Sequence, residues 1–280
     1  FPFDHKEKQP QESHDEILEK LKTLDFPVLF LSSLQTVSFK TKEVTGEYSK
    51  EVTQETTQGD ITVQWITLAL RVNRGSTTQR LLVFTQNSGS GYLCSIGYAL
   101  GDNEKLMPID RPAFCFFPTK EMTNLNFILH APFLLTDSRE GIKAGEKHNQ
   151  ELVKQLAQLA AESLSILRDE KLIDDSLLEI IPYDQSKFSR LDEKNKISFK
   201  PFFDDIKHKL QTDTLLPSAN GECSSKDRSY WASDTELVEL FSDKQLAQLC
   251  DVERAKWVFP SRGKKEVINA NKALAEYIDG

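Results

Sequence analysis

Ala113-Phe114-Cys115-Phe116-Phe117-Pro118-Thr119-Lys120-Glu121 and Asn126-Phe127-Ile128-Leu129-His130-Ala131-Pro132-Phe133-Leu134-Leu135-Thr136-Asp137-Ser138-Arg139-Glu140 are the stretches whose reading decides the fold. Each opens on a short apolar run. The first is stopped by Pro118; the second is stopped by Pro132 and resumed by Phe133-Leu134-Leu135. Short apolar runs bounded by proline and polar residues read as buried strands. From Asn149 the period changes, with Leu152, Val153, Leu156, Leu159, Ala160, Leu164 and Leu167 at three- and four-residue steps. Lys154, Gln155, Gln158 and Glu162 fall on the opposite side, so the segment is predicted as a helix with one buried stripe. Arg139 is thereby expected between a buried sheet and a helix start.

Working outward, residues 1–12 are polar and predicted extended, and Ser13-His14-Asp15-Glu16 has capping-box form, predicting a helix over 14–24. Val28-Leu29-Phe30-Leu31 reads as a buried strand continued in alternation by Val37 and Phe39. Residues 40–60 are rich in Thr, Glu, Lys and Gln and predict an exposed hairpin or a mobile loop. Next, Ile61, Val63 and Trp65 are odd-numbered whereas Ile66, Leu68, Leu70 and Val72 are even. That switch of face at Trp65-Ile66 means a bulge or a strand covered on both faces. Arg74-Gly75-Ser76-Thr77 and Ser88-Gly89-Ser90-Gly91 read as turns around Leu81–Phe84 and before Tyr92–Tyr98.

The expected class is α+β, with a mixed or antiparallel sheet backed by helices and followed by a smaller, mainly helical region. Beyond about residue 170 the composition changes. Ile180-Ile181-Pro182 closes an element, residues 184–196 are polar, Phe202 to Leu210 predicts a short helix, and Pro217 to Ser229 reads as loop. Ser233-Asp234-Thr235-Glu236 and Ser242-Asp243-Lys244-Gln245 are two further capping boxes. At roughly 100–200 residues per domain, the 280 residues divide into a lead-in helix and linker (1–25), an α+β domain (26–170) and a mainly helical domain (171–280).

A formal charge of −8 argues against an extended nucleic-acid surface, because phosphate binding needs clustered Lys and Arg; a local basic site stays open. Cys94, Cys115, Cys223 and Cys250 lie far apart without a C-x-x-C pair and read as reduced core thiols of a cytoplasmic protein. No run approaches the ~18 apolar residues of a membrane span, and the N-terminus lacks the apolar core of a signal peptide. Both ends read as cut, so the chain is expected to be a fragment of something longer.

The familiar catalytic signatures are missing: there is no G-x-x-x-x-G-K-S/T, H-E-x-x-H, G-x-S-x-G or kinase set. His5, His14, His130, His148 and His208 are isolated from one another and from cysteine, so no metal site is visible. Asp174-Asp175 and Asp204-Asp205 read as solvated helix ends. Two cations stand out. Arg139 is either an always-charged planar fork presented to phosphate oxygens or a surface arginine paired with Asp137 or Glu140. Lys120 is either an ammonium placed on a phosphate by a strand-end turn or an exposed lysine with Glu121 as its neighbour. His148 and Asn149 lie near a helix N-terminus, where Asn149 serves as an anion contact or, more simply, as a cap. Trp65, Trp231 and Trp257 read as core or interdomain packing, with Tyr230-Trp231 as an alternative interface anchor.

Phe116-Phe117-Pro118-Thr119-Lys120-Glu121, Phe127 through Arg139, and Asn149 with its Leu/Ala helix together resemble the part that follows the nucleotide domain in sacsin-like GHKL ATPases (the gyrase, heat-shock chaperone, histidine kinase and MutL type). The likeness is closest over 114–168, is one of pattern over 26–113, and is fainter from Leu215 to Trp257. It implies a transducer or middle domain of the ribosomal-protein-S5 type over 26–170. In the heat-shock chaperone a Ser-Arg-Glu turn ahead of a helix carries the arginine that reaches the ATP γ-phosphate, and Ser138-Arg139-Glu140 resembles it. In the gyrase and MutL branch a transducer lysine does comparable work, for which Lys120 is the nearest match. The ATP-binding half's Glu-x-x-x-Asn helix, Asp-x-Gly-x-Gly and Gly-rich lid are not found in order.

The resemblance therefore implies no cofactor and no activity in this fragment alone, with ATP and Mg²⁺ held by an ATPase parent of chaperone-like or defence-related role. Its expected partners are the upstream nucleotide-binding domain of the same chain and protein clients, with no membrane. A reading from another class is a non-catalytic protein–protein interaction module in which Arg139 is structural.

Overall fold

The computed structural model describes residues 9–87, 91–188, 196–232, 235–258 and 265–280. Its first helix, α1 (Pro10–Lys22), begins earlier than the Ser13 box suggests. Proline at the first helical position has its φ preset and loses no bond there. The Gln9 amide donates to Glu12 Oε2 at 3.4 Å, and the Ser13 amide is already bonded to Gln9 O.

The strands that follow are β1 (Thr36–Lys40), β2 (Thr45–Gln58), β3 (Ile61–Val72), β4 (Gly75–Asn87), β5 (Leu93–Leu100), β6 (Leu106–Met107), β7 (Pro112–Cys115), β8 (Phe117–Met122) and β9 (Ile128–His130). They form one nine-stranded sheet in the order β1-β2-β3-β4-β5-β9-β7-β8, with β6 on β5. Within this sheet, among the described residues, β7 and β9 alone pair in parallel, so the sheet is mixed and the class is α+β.

Of the two expectations for residues 40–60, the hairpin is the one formed: β2 is paired along its length with β3. Its register slips between Val52 and Gln54, so the extra residue, Thr53, is on β2, whereas β3 runs against β4 without a break. The face switch at Trp65-Ile66 therefore reflects the other expectation, a strand covered on both faces. Ile61 and Val63 join the main cluster, whereas Ile66 and Leu68 join a second cluster with Val28, Leu29, Leu81, Val83 and Phe114.

Val28-Leu29-Phe30-Leu31 is not a strand. Phe26 has φ +45, the Leu29 amide bonds Phe26 O and the Leu31 amide bonds Val28 O, giving successive turns. Lys50 Nζ, on β2, donates to Leu29 O at 3.2 Å and Leu31 O at 2.7 Å. Carbonyls that would have entered a ladder are thereby taken by an ammonium, and the apolar run plugs the second sheet face instead.

Pro118 does not stop a strand either. It lies inside edge strand β8, where its missing N–H costs no ladder bond. The reversal comes earlier, at Phe116 with φ +64, and Thr119 Oγ1 donates back to Ala113 O at 2.8 Å. Phe133-Leu134-Leu135 does not resume a strand: only Leu135 forms a bridge, to Ile142.

On the main face lies α2 (Lys147–Asp169), whose buried stripe includes Leu152, Leu156, Leu159, Ala160 and Leu167. Beyond it come α3 (Leu177–Ile180), α4 (Lys200–Thr212), α5 (Thr235–Leu240), α6 (Asp243–Cys250) and α7 (Lys265–Asp279). One apolar cluster runs from Phe84 and Phe127 through α2 to Phe202 on α4 and Ile278 on α7. Inside it Tyr98 and Ser163 share a hydrogen bond of 2.9 Å, which satisfies both hydroxyls.

The Ser242 box is present: the Ser242 amide donates to Gln245 Oε1 at 3.0 Å. Ser233 and Asp234 of the other box, and Ser88 to Ser90 of the second turn, lie outside the described residues. All four cysteines are free thiols. Trp65 and Trp231 pack on the main cluster, and Trp257 Nε1 donates to Phe241 O.

His130 sits where β9 meets the 26–31 turns, stacked on Phe30 with centroids 4.5 Å apart and with the Phe116 amide 3.2 Å from Nδ1. Burial pushes its pKa down to about 4, a hydrogen bond with Phe114 O opposing weakly. A depressed pKa in the folded state means that protons favour the unfolded chain below its ordinary value of 6.5. The stability is thus complete above pH 6.5 and is lost progressively towards pH 4, by about 3 kcal/mol at 1.36 kcal/mol per unit. Urea unfolding across that range should show the loss in the native chain and its absence in His130→Gln. Parallel pH profiles would remove His130 as the cause.

Candidate functional site

Arg139 stands at the tip of a turn between Thr136 and Gly141. The Thr136 amide donates to Gly141 O and the Arg139 amide to Thr136 O, both at 2.8 Å. Thr136 Oγ1 receives the Gly141 amide at 3.2 Å and meets Ser138 Oγ at 3.1 Å. The reversal is tight enough that Arg139 itself takes φ +59. For a residue other than glycine that conformation costs roughly 1–2 kcal/mol, so the surrounding bonds must hold it.

Two attachments supply the hold. The first is Asn149, in the first turn of α2 and fully buried. Its Oδ1 receives the Leu134 amide at 2.8 Å, and its Nδ2 donates to Leu134 O at 2.8 Å and Lys143 O at 2.9 Å. Asn149 therefore is not the helix cap, a position occupied by Glu146; it clamps both legs of the loop that carries Arg139. The second is strand β8, where the Lys120 amide donates to Glu140 O at 2.6 Å. Lys120 Nζ also meets Glu140 Oε1 at 2.7 Å.

These contacts decide where the charges go. Glu140 is engaged by Lys120, and Asp137 lies 3.8 Å from Lys143 Nζ. Both carboxylates that the sequence offers to Arg139 are thus turned towards lysines. Arg139 is exposed, and among the described residues its side chain makes no hydrogen bond or ion pair. Lys120 and Arg139 are brought to one surface, joined through Glu140, with Lys120 charge-compensated and Arg139 not.

The remaining candidates have structural partners. His148 Nε2 lies 3.4 Å from Pro132 O and its ring meets Tyr92 edge-on at 5.1 Å. Asp174 and Asp175 share Lys105 at 2.9 and 2.8 Å, and Asp204 pairs with Lys200 at 2.6 Å. Among the described residues no group of three or more His, Cys, Asp or Glu is placed to hold a metal ion, and no helix is long and apolar enough to cross a membrane.

Residue types single out Arg139 and Lys120 as candidates but do not reveal the clamp at Asn149 or the tether at Glu140. The signal for Asn149 was its place three residues before Leu152, on the buried stripe, where an amide needs partners. No family model, curated protein or solved structure matches this chain.

Proposed function

We propose that this chain is the middle, transducer-like region of a sacsin-like GHKL ATPase, of chaperone-like or defence-related role in the cytoplasm. The observation that carries the reading is Arg139: an exposed guanidinium without a counter-charge among the described residues, at the tip of a turn braced by Asn149 and by β8. A preset donor fork of that kind suits the equatorial oxygens of a γ-phosphate held by an upstream nucleotide-binding domain with Mg²⁺. One bidentate contact would exist with ATP and be lost with ADP, biasing a two-state arrangement of the domains. Lys120, shared with Glu140, is the second cation available to that phosphate, and the continuous core from the sheet to α4 and α7 offers a path for the change.

A non-catalytic protein–protein interaction module is the alternative, favoured by Leu240 and Leu249, which are 68% and 75% exposed on the short helices α5 and α6. Cross-linking between this region and the nucleotide-binding domain of the parent protein, with ATP and with ADP, separates the two. The transducer reading expects cross-links at residues 136–141 that rise several-fold with ATP. Cross-links that ignore the nucleotide would favour the module.

A further inference from the structure

Of the sheet's two edges, β8 is blocked and β1 is open among the described residues. At β8 the Lys120 amide is taken by Glu140 O, and Pro118 has no N–H to offer. We infer that β1 is a self-pairing edge, through which two copies of this chain join antiparallel about a two-fold axis at Ser38.

The first observation is which backbone groups are left over. The Lys50 amide bonds Gln35 O and the Thr41 amide bonds Val44 O, both at 2.8 Å. Bonded residues alternate along an antiparallel pair. Gln35, Val37, Phe39 and Thr41 therefore turn their backbone to β2, with Val37 opposite Tyr48 and Phe39 opposite Gly46. Thr36, Ser38 and Lys40 turn theirs outward and are exposed. An open row of donors and acceptors is a template for another strand.

The second is what that row matches. Reversed about Ser38, the strand sets Thr36 against Lys40, Ser38 against Ser38 and Lys40 against Thr36, and each pair exchanges both backbone bonds. Sliding the copies keeps fewer of these bonds, so the centred register is preferred. Val37 of one copy then meets Phe39 of the other in the closer, non-bonded pairs. Both side chains are half-buried in the single copy, where Phe39 meets Tyr48 with centroids 6.4 Å apart and Val37 packs on the second cluster. A β-branched residue against an aromatic is a favourable cross-strand pair. No lysine meets a lysine. The same surface meets itself, which gives a closed dimer instead of a growing fibre.

The third is charge. Each copy carries a formal charge of −8, so the overall field opposes the union and added salt should strengthen it. Association through surface ion pairs would weaken instead.

The test is sedimentation equilibrium of the intact chain, with hydrogen exchange read along β1. A monomer–dimer equilibrium is expected with a dissociation constant on the order of 10 μM, since a lone edge contact lies at the small end of interfaces. As concentration rises, the Thr36, Ser38 and Lys40 amides should gain protection while those of Val37 and Phe39, already turned to β2, stay as they were. Ser38→Pro removes the central outward donor without touching the β1–β2 ladder and should weaken dimerisation about tenfold or more. Thr36→Lys sets like charges opposite each other and should weaken it several-fold; adding Lys40→Glu should restore it, because those side chains meet only in this register. A chain that stays monomeric at ten times the expected constant, protection that does not alternate, or a dimer indifferent to both variants would overturn the proposal. So would loss of the dimer in Leu240→Ser/Leu249→Ser, which would move the contact to α5 and α6. Arg139→Ala should leave the equilibrium as it is, so this contact and the γ-phosphate reading stand or fall separately.

Discussion

Arg139→Ala in the parent protein should cut ATP turnover by about a hundredfold, equivalent to about 2.7 kcal/mol of transition-state stabilisation, while nucleotide binding changes little. The expectation follows from where the guanidinium is held. It is exposed and makes no ion pair among the described residues, so its removal frees no buried carboxylate and should cost little stability. What is lost is a preset charge that matters only where a phosphoryl group develops charge on its equatorial oxygens. Arg139→Lys should recover only part of the rate, because an ammonium keeps the charge but not the two-pronged geometry. Steady-state turnover together with nucleotide affinity reads both effects. Unchanged turnover in Arg139→Ala would remove the residue from the mechanism.

Asn149→Ala should destabilise the chain by about 3 kcal/mol, since three hydrogen bonds worth about 1 kcal/mol each are lost. Their partners are the Leu134 amide, the Leu134 carbonyl and the Lys143 carbonyl. The clamp fixes the two ends of the segment bearing Arg139, so its loss should loosen the turn as well as lower the denaturation midpoint. A urea midpoint shift with an unchanged slope would register the first effect. Proton exchange of the Arg139 amide, now bonded to Thr136 O, would register the second. A destabilisation under about 1 kcal/mol would mean that water replaces the amide and that Asn149 is no clamp.

Much of the architecture was legible because it is written in period. The stripe from Leu152 to Leu167 gave α2, and the odd-to-even switch at Trp65-Ile66 marked a strand covered on both faces. The Ser242 box gave the start of α6. Where the readings went astray, a distant group had overridden a local pattern. Val28 to Leu31 carries strand-like residues, but Lys50 takes its carbonyls from 19 and 21 positions away. Pro118 is a strand breaker in general, and only its place on an edge makes it harmless here. At the candidate site, residue types pointed to Arg139 and Lys120, yet which carboxylate answers which cation could not be read from adjacency. The sequence offered Glu121 to Lys120 and Glu140 to Arg139; the packing of the 136–141 turn on β8 places Glu140 at 2.7 Å from the Lys120 ammonium.

The amino-acid sequence alone thus determined the α+β class and the long helix that carries the stripe from Leu152 to Leu167, because side-chain periodicity acts over a few residues. Only the tertiary structure decided that Asn149 is a clamp, that Arg139 lacks a counter-charge among the described residues, and that β1 is an edge of the sheet. Hydrogen bonds and ion pairs depend on distances of a few ångströms between segments far apart along the chain, and no local pattern encodes those distances.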